Sequence, residues 1–570
     1  MLFWVALLCA TKLTFLAAEG PVVHTQQGTI HGTYLVSSSG RQFAAFQGIP
    51  YAQPPVGKLR FKEPLAPHRW KGTWNASLPG SACIQYQRLM PFVEDEDPII
   101  GEEDCLYINV FMPVKKAGNA APLLDVIFYI HGGALMYGWS HAYGPKYILD
   151  KDIILVTFNY RLGPMGFLST EDKVVPGNMG LKDQTAALKW VHRNIAAFGG
   201  NPDSVTLIGN SAGGVSVHYH YISPMSRGLF KRGYSQSGSV LLPWALMEGG
   251  RTKAQILGAA LGCATANTQQ LIDCLRDRPA RQIVQQVQHF LVWRYNPFAP
   301  FGPTVEAAGP NSFLSKSPLD AILQGDVQDL PWMTSATTEE GLYPVADWIT
   351  NPATTKVLED KYAEFFPHIL DYNYTVPQNK KSEVLQQIIQ HYFHGKPPSS
   401  ETKKEMIQVA TDRLFVADLV RAAKLQAAVN SAPVYFYHFG YRGKSSLSDS
   451  MSGTSVDLGV SHADDLSYTM DCSINNPDEK PEDKEMSNLL VDIWTSFARD
   501  GIPIPRGKNF QWKPTTPNSK ELNYLYIGRF DNLEMRSSSN LGEQEFWDSL
   551  PINEPQIGKS TPLKLKHTEF

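Results

Sequence analysis

Residues 205–214 read Val-Thr-Leu-Ile-Gly-Asn-Ser-Ala-Gly-Gly, an apolar run followed by a serine that has a glycine two residues before it and another two residues after it. Positions 205–208 predict a buried strand, and the small residues after Ser211 predict a helix that packs closely against the sheet. A strand can reverse this sharply into a helix only where the flanking positions carry no side chain. We therefore predict a strand–turn–helix that holds the Ser211 hydroxyl clear of the backbone as a nucleophile.

A second glycine-rich turn, His-Gly-Gly-Ala at residues 131–134, follows the apolar run 124–130. Its backbone N–H groups can face a negatively charged oxygen because no large side chain obstructs them. A serine hydroxyl needs such donors, and a general base, before it acts as a nucleophile at neutral pH. Together with the N–H of Ala212, this turn predicts an oxyanion hole beside the serine.

The apolar runs alternate with segments of helical periodicity, which indicates the fold class. Runs such as 124–130 and 205–208 end at Gly or Asn turns, and residues 184–197 between them carry apolar side chains at helical spacing. This alternation predicts an α/β fold with a mostly parallel central sheet and helices on both faces. Residues 245–435 predict large helical insertions that build one wall of a cleft. No Gly/Ser-rich or Pro-rich linker divides the chain, so we expect a single domain over residues 19–570.

The composition excludes several classes of protein. The 570 residues include 51 Lys+Arg and 55 Asp+Glu, a formal net charge of −4, which gives no electrostatic reason to bind nucleic acid. After the N-terminus, no window of eighteen consecutive apolar residues predicts a membrane span. The acidic run 94–97 fits no calcium-binding loop and is expected to be solvated. No metal or organic cofactor is expected.

The general base is the next requirement. In proteins with this serine motif, an acid and then a histidine follow the serine along the chain. His462 lies in a polar, turn-like setting, Gly-Val-Ser-His-Ala-Asp-Asp at residues 459–465. His218 and His220 fall on the helix that follows the serine, so we expect them to pack or to face solvent. This comparison favours His462 as the base.

Several blocks of the sequence resemble one known family. Residues 198–213 (FGGNPDSVTLIGNSAG) and 103–110 (EDCLYINV) are similar to the two signatures of type-B carboxylesterases, the cholinesterase and carboxylesterase branch of the α/β-hydrolases. Residues 46–52 (FQGIPYA) and 159–163 (NYRLG) extend the resemblance, which covers nearly the whole chain after the N-terminus. The similarity is greatest to insect carboxylesterases. It implies the α/β-hydrolase fold.

The resemblance also assigns roles. Glu339 and Glu340 both precede Gly341, and their spacing alone does not identify the acid. The family pattern implies that the acid is the Glu immediately before the Gly, which is Glu340, and that His462 is the base. It further implies that the oxyanion donors are the N–H groups of three residues: Gly133, Ala134 and Ala212.

The cysteines predict two disulfides. The pairs Cys83–Cys105 and Cys263–Cys274 close short local loops, and the family pattern implies the same pairing. Cys472 is then a free thiol. The sequons at Asn75 (NAS) and Asn373 (NYT) are predicted glycosylation sites.

The two ends of the chain carry candidate targeting signals. Residues 1–18 contain an apolar run of signal-peptide length, with Ala17 and Ala18 as a cleavage point and Ala10 as an alternative. They predict a secreted protein. The C-terminal sequence His-Thr-Glu-Phe, residues 567–570, resembles a retention signal and makes the endoplasmic reticulum lumen an alternative.

These features together imply a secreted or lumenal serine carboxylesterase that hydrolyses small carboxylic esters through an acyl-enzyme on Ser211. A juvenile hormone esterase, or an odorant or pheromone esterase, is the alternative with a specialised substrate. A non-catalytic adhesion relative is disfavoured because all three catalytic residues are present. The resemblance also implies that an acetylcholinesterase would carry a choline-binding Trp between the first two paired cysteines. No Trp lies between Cys83 and Cys105, which disfavours a quaternary-ammonium substrate. An apolar substrate group is favoured by a set of candidate cleft residues: Leu135, Met136, Tyr137, the run 240–244, Trp293, Tyr295, Phe298 and Phe301.

Overall fold

The computed structural model describes residues 20–87, 97–114, 122–505 and 510–554. The predicted signal peptide, most of the acidic run 94–97 and the C-terminal tetrapeptide lie outside these residues. The strands are β1 (Val22–His24), β2 (Thr29–His31), β3 (Thr33–Val36), β4 (Gln42–Pro50), β5 (Thr73–Asn75), β6 (Gln85–Tyr86), β7 (Ile99–Ile100), β8 (Tyr107–Pro113), β9 (Leu124–Ile130), β10 (Ile154–Phe158), β11 (Gly200–Asn210), β12 (Arg232–Gln236), β13 (Trp332–Thr337), β14 (Val434–Phe439), β15 (Leu522–Ile527) and β16 (Leu533–Ser538).

Helices connect and cover these strands. They are α1 (Gly163–Phe167), α2 (Met179–Asn194), α3 (Ala212–Ile222), α4 (Gly250–Ala260), α5 (Thr268–Arg276), α6 (Ala280–Gln285), α7 (Pro318–Leu323), α8 (Leu342–Thr350), α9 (Pro352–Ile369), α10 (Lys381–Phe393), α11 (Lys403–Thr411), α12 (Ala417–Val429), α13 (Leu447–Ser452), α14 (Pro481–Asp500) and α15 (Gln544–Ser549). A π-helical turn, Asp412–Val416, joins α11 to α12. Within the described ranges, no helix combines the length and apolar character needed to cross a membrane.

Eleven strands form the main sheet, in the order β16-β15-β14-β13-β12-β11-β9-β10-β8-β4-β3. Every pairing from β15 to β10 is parallel, and the pairings at both edges are antiparallel. Parallel strands need crossover connections, which the helices between them supply. The carboxyl ends of β11, β12 and β13 therefore meet at one edge of the sheet. The prediction of a mostly parallel central sheet is confirmed.

Two buried clusters lie on opposite faces of this sheet. Val126 and Phe128 of β9 belong to one cluster, together with side chains of α2, α3 and α12. Their neighbours Ile127 and Tyr129 belong to the other, with side chains of α14. Alternate residues of a strand point to opposite faces, so both faces of β9 are covered. Each such apolar side chain contributes about 1.5–3 kcal/mol on full burial, which explains the continuous apolar run 124–130.

The long helical region predicted over residues 245–435 is present. Helices α4 to α12 lie between Gly250 and Val429, with β13 among them. The structure contains disulfides that join Cys83 to Cys105 and Cys263 to Cys274, with Cα–Cα distances of 4.8 and 5.8 Å.

Candidate active site

Ser211 occupies the sharp turn between β11 and α3. Its φ of 59° and ψ of −125° lie outside the regions that most side-chain-bearing residues adopt, as in other strained functional turns. A Cβ on Gly209 would lie 2.4 Å from the Gly213 backbone, and one on Gly213 would lie 2.0 Å from the Ile130 carbonyl oxygen. Only glycine therefore fits on either side of the turn. The Ser211 N–H donates to the carbonyl of Gln236, 2.8 Å away, which fixes the turn to β12.

His462 and Glu340 form a buried pair. His462 Nδ1 lies 2.5 Å from Glu340 Oε2, and the Glu340 side chain is fully buried. The other carboxylate oxygen accepts hydrogen bonds from the Ser237 hydroxyl at 2.5 Å and from the Thr337 N–H at 2.7 Å. With Nδ1 engaged in this way, Nε2 is the nitrogen left to accept a proton. Nε2 has no hydrogen-bond partner among the described residues.

The segment after β12 connects the serine to the acid. Gln236 accepts the Ser211 N–H, and the next residue, Ser237, donates its hydroxyl hydrogen to Glu340. A Cβ on Gly238 would lie 2.3 Å from the Ser211 carbonyl oxygen, so this segment is in close contact with the serine turn. The ends of β11, β12 and β13 thus bring Ser211 and Glu340 to one edge of the sheet, as the parallel order requires.

The glycine-rich turn 131–134 lies against the serine. A Cβ on Gly132 would lie 2.7 Å from the Asn210 carbonyl oxygen and 3.1 Å from Ser211 Cβ. Gly133 and Ala134 have φ values of 109° and 53°. Their N–H groups, and that of Ala212 at the start of α3, are not donated to any other described residue. Such unused donors are what an oxyanion hole requires.

Two contacts hold this turn in place. His131 stacks on Tyr160, with ring centroids 4.4 Å apart, and its Nδ1 lies 2.8 Å from the Gly132 carbonyl oxygen. Burial lowers the pKa of His131 to about 4, so its ring stays neutral near pH 7. The Gln85 side-chain amide both accepts from the Gly138 N–H at 2.7 Å and donates to the Gly138 carbonyl at 3.0 Å. These contacts stabilise the turn at its start and just after its end.

Aromatic side chains surround the histidine ring. Tyr343 and Phe415 pack on His462, with ring centroids 5.3 and 4.7 Å away. Phe298 stacks on Tyr343 at 5.3 Å, and Trp244 contacts both Phe298 and Phe415 at 6.2 and 6.1 Å. Phe415 belongs to the π-helical turn, a feature often found at functional sites.

Five of the predicted cleft residues fall into two groups. Phe298 and Trp244 belong to the aromatic cluster around the histidine, and the Tyr137 hydroxyl lies 2.5 Å from that of Tyr343. Trp293 and Tyr295 instead contact Trp348, at 4.9 and 6.3 Å. Trp348 belongs to α8, so this second pair packs against that helix.

The alternative candidates have other partners. Glu339 accepts the Val460 N–H at 2.7 Å, so it anchors the loop that leads to the base. His218 stacks on Trp332 at 4.3 Å, and His220 lies 2.6 Å from the Ser226 hydroxyl oxygen. Burial lowers their pKa values to about 4 and 3. Both histidines are neutral packing residues.

Sequence reasoning missed Asp465, three residues after the base. It is fully buried and accepts hydrogen bonds from the Tyr437 hydroxyl at 2.6 Å and from the Gln236 side-chain amide at 3.2 Å. It thereby links the histidine loop to the segment that holds Ser211. Burial raises its pKa to about 6. The Ala-Asp-Asp sequence after His462 was the available signal, but its burial depends on distant strands.

The two predicted glycosylation sites differ in exposure. Asn75 is exposed, and Asn373 is half-buried with its side-chain oxygen 2.7 Å from Lys381 Nζ. Cys472 is a free thiol. The described ranges contain no group of three or more His, Cys, Asp or Glu side chains arranged to hold a metal ion.

Comparison with known proteins identifies the family. A family model described as "Carboxylesterase family" matches residues 19–547. The chain belongs to the carboxylesterase family. This carboxylesterase is 44% identical to Venom carboxylesterase-6 of Apis mellifera, over 96% of the chain and 97% of the relative. It is 41% identical to Esterase FE4 of Myzus persicae, with 94% of each covered. It is also 36% identical to Juvenile hormone esterase of Tribolium castaneum, with 94% and 95% covered.

A solved structure supports the same assignment. Juvenile hormone esterase from Manduca sexta matches with a TM-score of 0.80 and 26% identity, over 93% of this chain and 99% of that one. The carboxylesterase therefore has the α/β-hydrolase fold, and it is a carboxylic ester hydrolase. The predicted resemblance to insect carboxylesterases is confirmed.

Proposed function

We propose that Ser211, His462 and Glu340 hydrolyse carboxylic esters through an acyl-enzyme on Ser211. The observation that carries this proposal is the buried hydrogen bond of 2.5 Å between His462 and Glu340, next to the strained serine turn. His462 Nε2 takes the hydroxyl proton as the serine oxygen attacks the ester carbonyl carbon. The alcohol leaves with that proton, and a water molecule activated by the same nitrogen then releases the acid. The juvenile hormone esterase structure from Manduca sexta has OTFP covalently attached, which supports covalent chemistry in this fold.

The oxyanion formed in each step would be stabilised by the N–H groups of Gly133, Ala134 and Ala212. The support is that the 131–134 turn lies against the serine and that these donors have no other described partner. Loss of one such donor costs about 10²–10³ in turnover in other hydrolases. A set of three is therefore sufficient to account for a large part of the rate enhancement.

The aromatic cluster around His462 favours an apolar acyl or alcohol group. Phe298, Tyr343 and Phe415 offer ring surface beside the base, on which an apolar group can pack. Buried apolar surface contributes about 25 cal/mol per Å² to binding such a group. A juvenile hormone esterase activity is a second candidate, since a relative of that name is 36% identical.

Secretion belongs to the same proposal. The leader-like residues 1–18 support it, as do the two disulfides, which persist in oxidising compartments. The relative named a venom carboxylesterase is consistent with it. Retention in the endoplasmic reticulum through residues 567–570 is the alternative, and the secreted fraction of the full chain in insect-cell culture distinguishes the two.

The Ser211→Ala variant tests the chemistry. We expect its kcat on p-nitrophenyl butyrate to fall at least about 10³-fold, because the nucleophile is gone. Ser461→Ala is the matched control: the Ser461 hydroxyl is buried and has no described hydrogen-bond partner, so turnover should stay near wild type. An organophosphate should add one phosphoryl mass to the wild type and none to Ser211→Ala. Wild-type turnover in Ser211→Ala would overturn the proposal. The second candidate is tested by comparing the turnover of juvenile hormone by the wild-type enzyme with its turnover of simple aryl esters.

A further inference from the structure

One face of the π-helical turn Asp412–Val416 contacts the active site. Phe415 packs on the His462 ring, with centroids 4.7 Å apart. The hydroxyl oxygen of Thr411, just before the turn, accepts the Gly341 N–H at 2.9 Å, and Gly341 directly follows the proposed acid. Thr411 and Phe415 are four residues apart, so they lie on the same face of the helix. The position of this turn therefore determines where aromatic surface lies beside the base.

The next two side chains of the turn bind a segment far along the chain, residues 542–554, which we call the strap. Arg413 and Glu554 are 3% and 4% exposed and form an ion pair. The Arg413 guanidinium also lies over the Trp547 ring, 5.4 Å from its centroid. Trp547 belongs to α15, the helix within the strap. The strap thus holds the turn through a buried charge pair and a ring contact.

A chain of hydrogen bonds and a close backbone approach add to this connection. The Trp547 indole N–H donates to the Tyr392 hydroxyl at 2.9 Å, and that hydroxyl donates to the Asp412 carboxylate at 3.1 Å. A Cβ on Gly542 would lie 2.7 Å from the Ala417 nitrogen, at the end of the turn. The start, the helix and the end of the strap are therefore all connected to the turn.

The buried ion pair resists displacement of the turn. The Arg413 guanidinium also donates to the carbonyls of Leu370 at 2.9 Å and Asp371 at 3.3 Å, but Glu554 supplies a negative charge in hydrogen-bond contact with it. Loss of one member of a buried pair is costly because the other charge stays buried without its partner. Removal of the Glu554 charge should therefore shift Arg413, and with it the turn.

We propose that the strap positions Phe415 against His462 and thereby sets which apolar acyl or alcohol groups the active site favours. This inference rests on the proposed ester hydrolysis at the same site. The turn carries the strap contacts and the active-site contact on adjacent residues, so a shift at one moves the other. Glu554 and Trp547 are positioning residues, since they act on the site through the turn.

Two ratios of kcat/KM, measured on the full-length enzyme, test this proposal. The first compares p-nitrophenyl butyrate with p-nitrophenyl acetate and reports on the acyl group, and the second compares 1-naphthyl acetate with p-nitrophenyl acetate and reports on the alcohol group. We expect Phe415→Leu to change at least one ratio about threefold or more, because apolar surface beside the base is lost. Glu554→Gln should change the same ratio in the same direction. Trp547→Phe keeps a ring near Arg413 but loses the bond to Tyr392, so it should cause a smaller change of the same sign.

Asp548→Asn is the matched control. Asp548 also lies on α15 and pairs with an arginine, Arg421, but that arginine belongs to α12 beyond the turn, and the Asp548 side chain is 48% exposed. Both ratios should therefore stay at their wild-type values in this variant. A change as large as that in Glu554→Gln would show that the ratios respond to any loss of charge in the strap, and would overturn the proposal.

The double variant Phe415→Leu/Glu554→Gln tests whether the strap acts through Phe415. Its ratios should equal those of Phe415→Leu alone, because the two changes affect one contact, whereas multiplied effects would overturn the proposal. Wild-type ratios in Glu554→Gln and Trp547→Phe would also overturn it, and Trp547→Phe alone decides if Glu554→Gln does not fold. Labelling by an organophosphate separates the two proposals. An unlabelled wild type contradicts the proposed chemistry, whereas labelled variants with wild-type ratios contradict only the role of the strap.

Discussion

Two adjacent glutamates leave β13 with different tasks. Glu340 Oε2 lies 2.5 Å from His462 Nδ1, while a carboxylate oxygen of Glu339 accepts the Val460 N–H at 2.7 Å. One side chain therefore orients the base, and the other holds the loop that carries the base. The pairing of residues Glu339 and Ser461 as an isolated bridge shows that the two chain segments meet along their backbones as well.

Replacement of each glutamate by glutamine should separate these tasks. In Glu340→Gln the negative charge that stabilises the imidazolium is lost, so kcat should fall about 10³–10⁴-fold, as for the equivalent change in a serine protease. In Glu339→Gln the amide oxygen still accepts the Val460 N–H, so kcat should remain within a few-fold of wild type. Steady-state kinetics on an aryl ester, with a thermal melt of each variant, is the measurement. Equal losses in both variants would show that the acid is assigned to the wrong residue.

Asp465 should make stability depend on pH. Its pKa is raised from 3.8 to about 6 by burial, so the folded protein keeps the proton that the unfolded chain releases above pH 4. The contribution of Asp465 to the free energy of unfolding is therefore greatest below pH 4. It declines as pH rises to 6, by up to about 3 kcal/mol.

Asp465→Asn removes this titration while keeping a side-chain oxygen for Tyr437 and Gln236. Its melting temperature should change less between pH 4 and pH 6.5 than that of the wild type. Tyr437→Phe is a useful comparison, since it removes one hydrogen bond to Asp465 but leaves the carboxyl group to titrate. A wild-type decline that persists unchanged in Asp465→Asn would show that another group causes it.

Strands and helices whose signal lies in the local sequence were predicted correctly. The apolar run 124–130 is β9 with the same bounds, and the helix expected at 184–197 is α2, which instead spans Met179–Asn194. Its end differs because residues Ile195–Phe198 continue as a 3₁₀ helix. By contrast, Phe415 contacts His462 through the π-helical turn, and no periodicity in the sequence marks that contact.

The glycines of the serine turn give a test at this scale. Gly213 lies in α3, where the helix approaches Ile130 at the end of β9. In Gly213→Ala, the new Cβ would lie 2.0 Å from the Ile130 carbonyl oxygen. We expect a loss of at least about 3 kcal/mol, the upper end for overpacked interiors, seen as a lower melting temperature or a loss of soluble protein. Gly309→Ala is the control, since its Cβ meets only one atom, 3.9 Å away. A Gly213→Ala variant with wild-type stability would contradict the packing argument.

At the scale of the whole molecule, the two disulfides close loops of 22 and 11 residues and should each contribute about 3 kcal/mol. Their positions differ in relation to the active site. Cys83 is two residues from Gln85, whose side-chain amide holds Gly138 just after the oxyanion turn. The second disulfide joins the start of the α4–α5 connection to α5, and the described contacts place neither cysteine next to a catalytic residue.

The two disulfides should therefore differ in their effect on catalysis. Cys263→Ser/Cys274→Ser should lower the melting temperature and leave kcat unchanged in protein that remains folded. Cys83→Ser/Cys105→Ser should lower the melting temperature by a similar amount and also reduce kcat, because the segment that carries Gln85 loses its tether. Thermal melts and kcat measured on the same samples at 25 °C distinguish these outcomes. Equal kcat in the two double variants would show that the oxyanion turn keeps its geometry without the Cys83 tether, and that its backbone contacts with the serine turn are sufficient to position it.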